Sequence, residues 1–120
     1  MKVYLAGPMT GIPHFNYPAF NSAAAWLRSE GHQVFNPAEH DTETFGKDIS
    51  NPDGCAETAA KEHGFDRRAA LKADLSWICD NAEAIALLPG WERSSGANAE
   101  RALAAALGLQ VITIEPVAAE

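Results

Sequence analysis

The chain has 120 residues, 47% of them hydrophobic and 21% charged, which is the size and composition of a single folded domain over 1–120 and excludes a disordered or membrane-embedded polypeptide. Sixteen acidic against nine basic side chains leave a net charge of −7, so a broad phosphate-neutralising surface for a nucleic-acid polymer is excluded, while a small anion held at a helix N-terminus is not. Cys55 and Cys79 lack any CxxC spacing and give neither a disulfide framework nor a zinc knuckle; with no signal-peptide core expected in MKVYLAGPM and no long apolar run, a soluble cytoplasmic protein without a membrane partner is expected.

Val3 to Ala6 is a short apolar run without alternation that ends at Gly7-Pro8, the pattern of a buried parallel strand followed by a loop. The loop GPMTG, Gly7 to Gly11, is either an ordinary turn or a place where backbone N–H groups approach a ligand. From Asn16 or Tyr17 the residues Phe20, Ala23, Ala24, Trp26 and Leu27 recur at helical spacing until Gly31, with Pro18 in the first turn. His32 to Phe35 reads as a second strand closed by Asn36-Pro37, completing one βαβ unit.

Ala38 to Gly54 holds no sustained period and reads as a long exposed connection, with 38–56 a possible lid or flexible segment. Glu57 to about Cys79 is helical in composition, either continuous or broken at Gly64, with Phe65, Ala69, Leu71, Leu75 and Ile78 supplying its apolar face. Trp26 and Trp77 suit helix packing, and Cys79 reads as a buried small hydrophobe. Ala84 to Leu88 is a third strand ending at Pro89-Gly90. Ser94 and Ser95 are N-cap candidates for a helix that stops at Gly108, and Val111 to Ile114 is a fourth strand. This alternation predicts an α/β fold, a three-layer Rossmann-like (flavodoxin-like) sandwich with a mostly parallel four- or five-stranded sheet. Its ligand crevice lies beyond the carboxyl ends of the strands, where GPMTG, the segment after Phe35 and PGWERSSG converge.

Glu100 stands four residues beyond Gly96 in GANAERALAAALG. On the predicted helix it borders an apolar stripe of Ala99, Leu103, Ala106 and Leu107. It either complements the helix N-terminus electrostatically or faces a ligand seated there. Ser94, Ser95 and Gly96 form a small anion-binding arrangement, without the lysine of a P-loop, and GPMTGI lacks the GxGxxG spacing of a dinucleotide site. Asp74, in AALKADLSWICDN, is either a surface carboxylate or a second acid leaning into the crevice; two carboxylates near one scissile bond divide nucleophilic and acid/base work. Trp91 either stacks a nucleobase or caps the core, and Asn98 binds ligand or faces solvent. His14, His32, His40 and His63 show no metal-ligand spacing, so no metal and no cofactor is expected.

Three stretches, KVYLAGPMTG, KADLSWICDNAEAIALLPG and SSGANAERALAAALG, occur in this order and together resemble the nucleoside 2-deoxyribosyltransferase-like superfamily. The segment 38–64 lies outside the resemblance. Ser94-Ser95 before Gly96, where members acting on free nucleosides tend to carry an acid, looks closest to the deoxynucleoside monophosphate N-glycosidase branch. The resemblance implies cleavage of the N-glycosidic bond of a nucleoside 5′-monophosphate. Glu100 matches the glutamate that attacks the anomeric carbon, and Asp74 the aspartate that helps bind the sugar and manage the departing base. The residues expected to bind substrate are Tyr4, Gly7, Pro8, Met9, Trp91, Ser94, Ser95, Gly96 and Asn98, with Ser94 matching a serine that contacts the 5′-phosphate. GPMTG lacks the arginine of the monophosphate hydrolases, which leaves phosphate contacts to Arg67, Arg68 or Arg93. A homodimer or higher homo-oligomer is also implied, and the small residues of the last helix would permit close subunit approach. The alternatives are a nucleoside deoxyribosyltransferase and a non-catalytic nucleotide-binding or sensing domain.

Overall fold

The computed structural model describes residues 1–115. Its strands are β1 (Lys2–Ala6), β2 (Gln33–Phe35), β3 (Ala84–Leu87) and β4 (Gln110–Thr113). Its α-helices are α1 (Tyr17–Ser29), α2 (Pro37–Phe45), α3 (Ala56–His63), α4 (Arg67–Asn81) and α5 (Ser95–Leu107). The four strands form one sheet in the order β2-β1-β3-β4, and every neighbouring pair is parallel. Among the described residues no helix is long and apolar enough to cross a membrane.

Because successive side chains of a strand point to opposite faces, β1 feeds two separate cores. Val3 and Leu5 pack with Phe20, Ala24 and Leu27 of α1, whereas Tyr4 and Ala6 pack with Ile78 of α4 and Ala97 and Ala104 of α5. Both faces of the sheet are therefore covered, giving the three-layer Rossmann-like sandwich that the alternation of elements predicts. The buried run Ala84–Leu88 shows the same double coverage at the sheet centre.

The helix ends follow local chemistry. Asn36 caps α2, its side chain accepting the Ala38 N–H at 3.0 Å, with Pro37 in the first turn. Gly64 ends α3 in the left-handed conformation, and Asp66 caps α4 through the Arg68 N–H at 3.0 Å. The expected break at Gly64 thus separates two helices.

Several sequence expectations change. The segment from Ala38, read as an exposed connection, begins inside α2, and Ile49 beyond it is buried. Trp26 is 53% exposed, because α1 buries the stripe Phe20, Ala23, Ala24 and Leu27 and turns its neighbour outward. Cys79 is exposed rather than buried, one helical step from the buried Ile78, and Ala69 is exposed as well. On α5 the buried positions are Ala97, Glu100 and Ala104, so Glu100 occupies the middle of the buried face, while Ala99, Ala106 and Leu107 are exposed.

The chain between β1 and α1 is conformationally unusual. His14, Phe15 and Asn16 have φ of 54°, 53° and 61°, a left-handed turn that costs about 1–2 kcal/mol per non-glycine residue. It drives Phe15 into the core and lets the Asn16 amide donate to the Pro8 carbonyl at 3.0 Å. A second segment clamps it: the Gly11 N–H donates to Gly54 O and the His14 N–H to Asn51 O, both at 2.8 Å.

Candidate functional site

In the order β2-β1-β3-β4, the connection that leaves β1 runs to β2 on one side, and the one that leaves its other neighbour β3 runs to β4 on the opposite side. The carboxyl end of β1 is therefore the topological switch point, where neighbouring loops diverge and leave a crevice. A cavity of about 670 Å³ lies there, lined from β1 and its loop (Tyr4 to Thr10), α2 (Pro37, Asp41), α4 (Ala70, Leu71, Asp74) and the start of α5 (Ser94 to Ala97, Glu100). Gly7 fits because a Cβ on it would stand 2.7 Å from Leu88 Cβ; the missing side chain lets the exits of β1 and β3 lie together.

The alternation of β1 decides which side chain meets Glu100. Tyr4 belongs to the face covered by α4 and α5, and its hydroxyl donates to Glu100 Oε2 at 2.8 Å. Tyr4 is fully buried and Glu100 is 6% exposed, although both line the cavity. Tyr4 also stacks on Phe35, with ring centroids 5.5 Å apart, and this packing fixes its ring.

Burial pushes the Glu100 carboxyl up to about 8, and repulsion from Asp74 adds to the rise while the Tyr4 hydrogen bond opposes it. Asp74 is pushed up to about 7, first by burial and then by the charge of Asp41, with hydrogen bonds from Tyr4 and Glu100 pulling the other way. The Tyr4 phenol is raised by burial and by both carboxylates, so it remains a donor. A helix N-terminus favours an ionised carboxylate in its first turn. Glu100 instead lies in the second turn of α5, beyond the reach of most of the dipole, and burial wins. Glu100 and Asp74 act as a coupled pair that holds one proton near neutral pH.

At the mouth, Ser94 is the N-cap of α5, its Oγ accepting the Ala97 N–H at 3.1 Å. The N–H groups of Ser95 and Gly96, at the first two helical positions, are left without an intrahelical acceptor. Gly96 stands in open space, with only Ser94 Oγ near its Cβ position, at 3.9 Å. Arg93 and Arg67 line the same cavity, whereas Arg68 does not.

Of the residues expected at the site, Tyr4, Gly7, Pro8, Met9, Asp74, Ser94, Ser95, Gly96 and Glu100 all reach the cavity. Trp91 does not, because it packs against the core cluster beneath α5. Asn98 does not either; it is exposed, and its amide donates to the carbonyls of Glu92 and Ser94 at 2.9 and 2.8 Å. The residue that sequence reasoning missed is Asp41. It lines the cavity from α2 and is pushed up to about 6 by burial, against the pull of His40 and of the Tyr17 hydrogen bond. Its Oδ2 accepts that bond, from the buried Tyr17 hydroxyl, at 3.3 Å. The cap Asn36-Pro37 and the helical offset from Pro37 to Asp41 were the available signs. Among the described residues no three His, Cys, Asp or Glu side chains gather closely enough to hold a metal ion.

A family model described as a domain of unknown function, DUF4406, matches residues 1–113. No curated protein and no solved structure matches the chain.

Proposed function

The chain belongs to the DUF4406 family, described as a domain of unknown function; from its resemblance to the nucleoside 2-deoxyribosyltransferase-like superfamily, together with the arrangement of its site, we propose that it cleaves the N-glycosidic bond of a deoxynucleoside 5′-monophosphate. The observation that carries this reading is the pair Glu100 and Asp74 with Tyr4 between them, in one cavity a helical turn below the open N-terminus of α5.

The 5′-phosphate rests on the N–H groups of Ser95 and Gly96 and the Ser94 hydroxyl, with Arg93 or Arg67 adding charge. Burial favours the shared proton on Glu100, so the reactive form is the minor one of the singly protonated pair, with the proton on Asp74; in it the Glu100 carboxylate attacks C1′ and forms a glycosyl ester. The C1′–N bond breaks with its electron pair on the base, and neutral Asp74 gives that nitrogen its proton. Asp74, now ionised, takes a proton from water as the water oxygen attacks C1′. The ester breaks and Glu100 is restored. Throughout, the Tyr4 hydroxyl stabilises the ionised form of Glu100. The resemblance brings with it a cytoplasmic homo-oligomer, and exposed Ala99, Ala102 and Ala106 on α5 would permit close subunit approach.

The test is incubation of the protein with nucleosides and their 5′-monophosphates, followed by chromatography for free base. Base release from monophosphates, lost by at least about 100-fold in Glu100→Gln, is expected. Release that survives in the variant removes Glu100 as nucleophile, and no release from any substrate overturns the glycosidase reading in favour of a binding domain. A second base added to the mixture separates transfer from hydrolysis.

A further inference from the structure

We propose that Asp41 selects the nucleobase, favouring bases that present an exocyclic amino group over their oxo counterparts. This rests on the nucleotide reading above and assigns a role to the one cavity carboxylate, among the described residues, that the cleavage steps leave unused.

The strand order supplies the placement. Asp41 belongs to the helix that follows β2, and Ser94 to Gly96 belong to the loop and helix that follow β3. β2 and β3 flank β1, so the two segments leave the sheet about 10 Å apart, two strand spacings. A nucleotide anchored by its phosphate at Ser95 and Gly96 and by C1′ at Glu100 extends its base toward α2. Met9, Ile12, Phe20 and Phe65 are among the apolar residues that line the cavity and suit a flat ring.

Asp41 is equipped as an acceptor. Tyr17 donates to Oδ2 and fixes the carboxylate, and Oδ1 takes no hydrogen bond among the described residues. Burial lifts the group only to about 6, so it is mainly ionised at pH 7. An ionised carboxylate in a half-buried position accepts N–H donors and repels carbonyl oxygens. The exocyclic amines of cytosine and adenine satisfy it. Uracil and hypoxanthine put a carbonyl oxygen at the corresponding position.

Matched pairs that differ by this single exchange make the test: deoxycytidine against deoxyuridine monophosphate, and deoxyadenosine against deoxyinosine monophosphate. Base release by the unmodified protein is expected to favour the amino member by about tenfold or more in kcat/KM. Asp41→Asn, whose amide also donates, is expected to bring the ratio close to one while still releasing base. Equal rates within both pairs, or a ratio unchanged by Asp41→Asn, overturns the assignment. Calorimetric titration of Glu100→Gln with the same nucleotides separates the two levels. Tighter binding of the amino members without base release from the unmodified protein keeps Asp41 as the selector and ends the glycosidase reading. No difference in binding, together with indiscriminate release, does the reverse.

Discussion

Tyr4 shows how far one side chain sets the chemistry. Its hydroxyl is the donor that Glu100 receives, at 2.8 Å, and both carboxylates of the pair are lowered by it against the larger effect of burial. Removing it leaves a buried carboxyl short of a partner, at a cost of about 1–3 kcal/mol. The pair must carry one proton for one member to attack while the other donates, so kcat/KM for base release is expected to follow a bell with limits near 7 and 8. In Tyr4→Phe both limits move to higher pH and the maximum falls, which rate measurements between pH 5 and 10 would detect. Limits that stay in place would take Tyr4 out of the proton balance. Ser94 is legible in the sequence as a helix cap, whereas Glu100 and Asp74, one in the second turn of α5 and one in the middle of α4, are singled out by the resemblance, since spacing alone leaves each open as a plain surface or helix-end carboxylate. For Trp91 and Asn98 the sequence leaves two readings open, because nearness to the start of α5 does not say which way a side chain turns; Trp91 packs on the core and the Asn98 amide bonds to its own loop.

Among the elements, those with a strong apolar period were readable and α2 was not. Strands β1 and β3 are buried on both faces and α1 carries a clear buried stripe, so hydrophobic pattern alone marks them. Helix α2, with the sequence PAEHDTETF, buries only Pro37 and Ala38; it has no stripe to read, and its cap is the main sign of it. The clamp on the loop after β1 was also invisible, since it is built from backbone bonds between segments some forty residues apart, Gly11 to Gly54 and His14 to Asn51. Gly54 sits at φ +63°, and a Cβ there would stand 2.2 Å from the Ile12 carbonyl oxygen. Gly54→Ala therefore meets both a left-handed backbone and a rigid neighbour, and a loss of at least about 2 kcal/mol is expected in chemical denaturation. A loss well under 1 kcal/mol would mean that the clamp yields and does not hold the loop.

At the scale of the whole molecule, the sheet order and the charge buried beside it belong together. Parallel strands with helices on both faces could be inferred from the alternation of elements, but the order β2-β1-β3-β4 depends on tertiary packing. That order brings acids from α2, α4 and α5 to one end of the sheet, in a chain whose net charge is already −7. Asp41, Asp74 and Glu100 are all raised, to about 6, 7 and 8, from ordinary values of 3.8, 3.8 and 4.5. Between those ordinary values and the raised ones the folded state binds more protons than the unfolded chain. Stability must then fall as pH rises through that window. Glu39 and Asp48 are shifted the opposite way, but Glu39 pairs with Arg28 on the exposed surface and Asp48 is exposed too, so their opposing contribution is small and lies at lower pH. Between pH 5 and 8.5 the melting temperature is therefore expected to decline steadily, with its highest value in that range at pH 5. Glu100→Gln keeps the shape of the side chain and cannot ionise, so its decline is shallower and it melts above the unmodified protein at pH 8.5. Differential scanning calorimetry across this range decides the point: a melting temperature that rises from pH 5 to 8.5 would mean that these carboxylates are ionised and satisfied in the fold, and the single-proton pair would go with it.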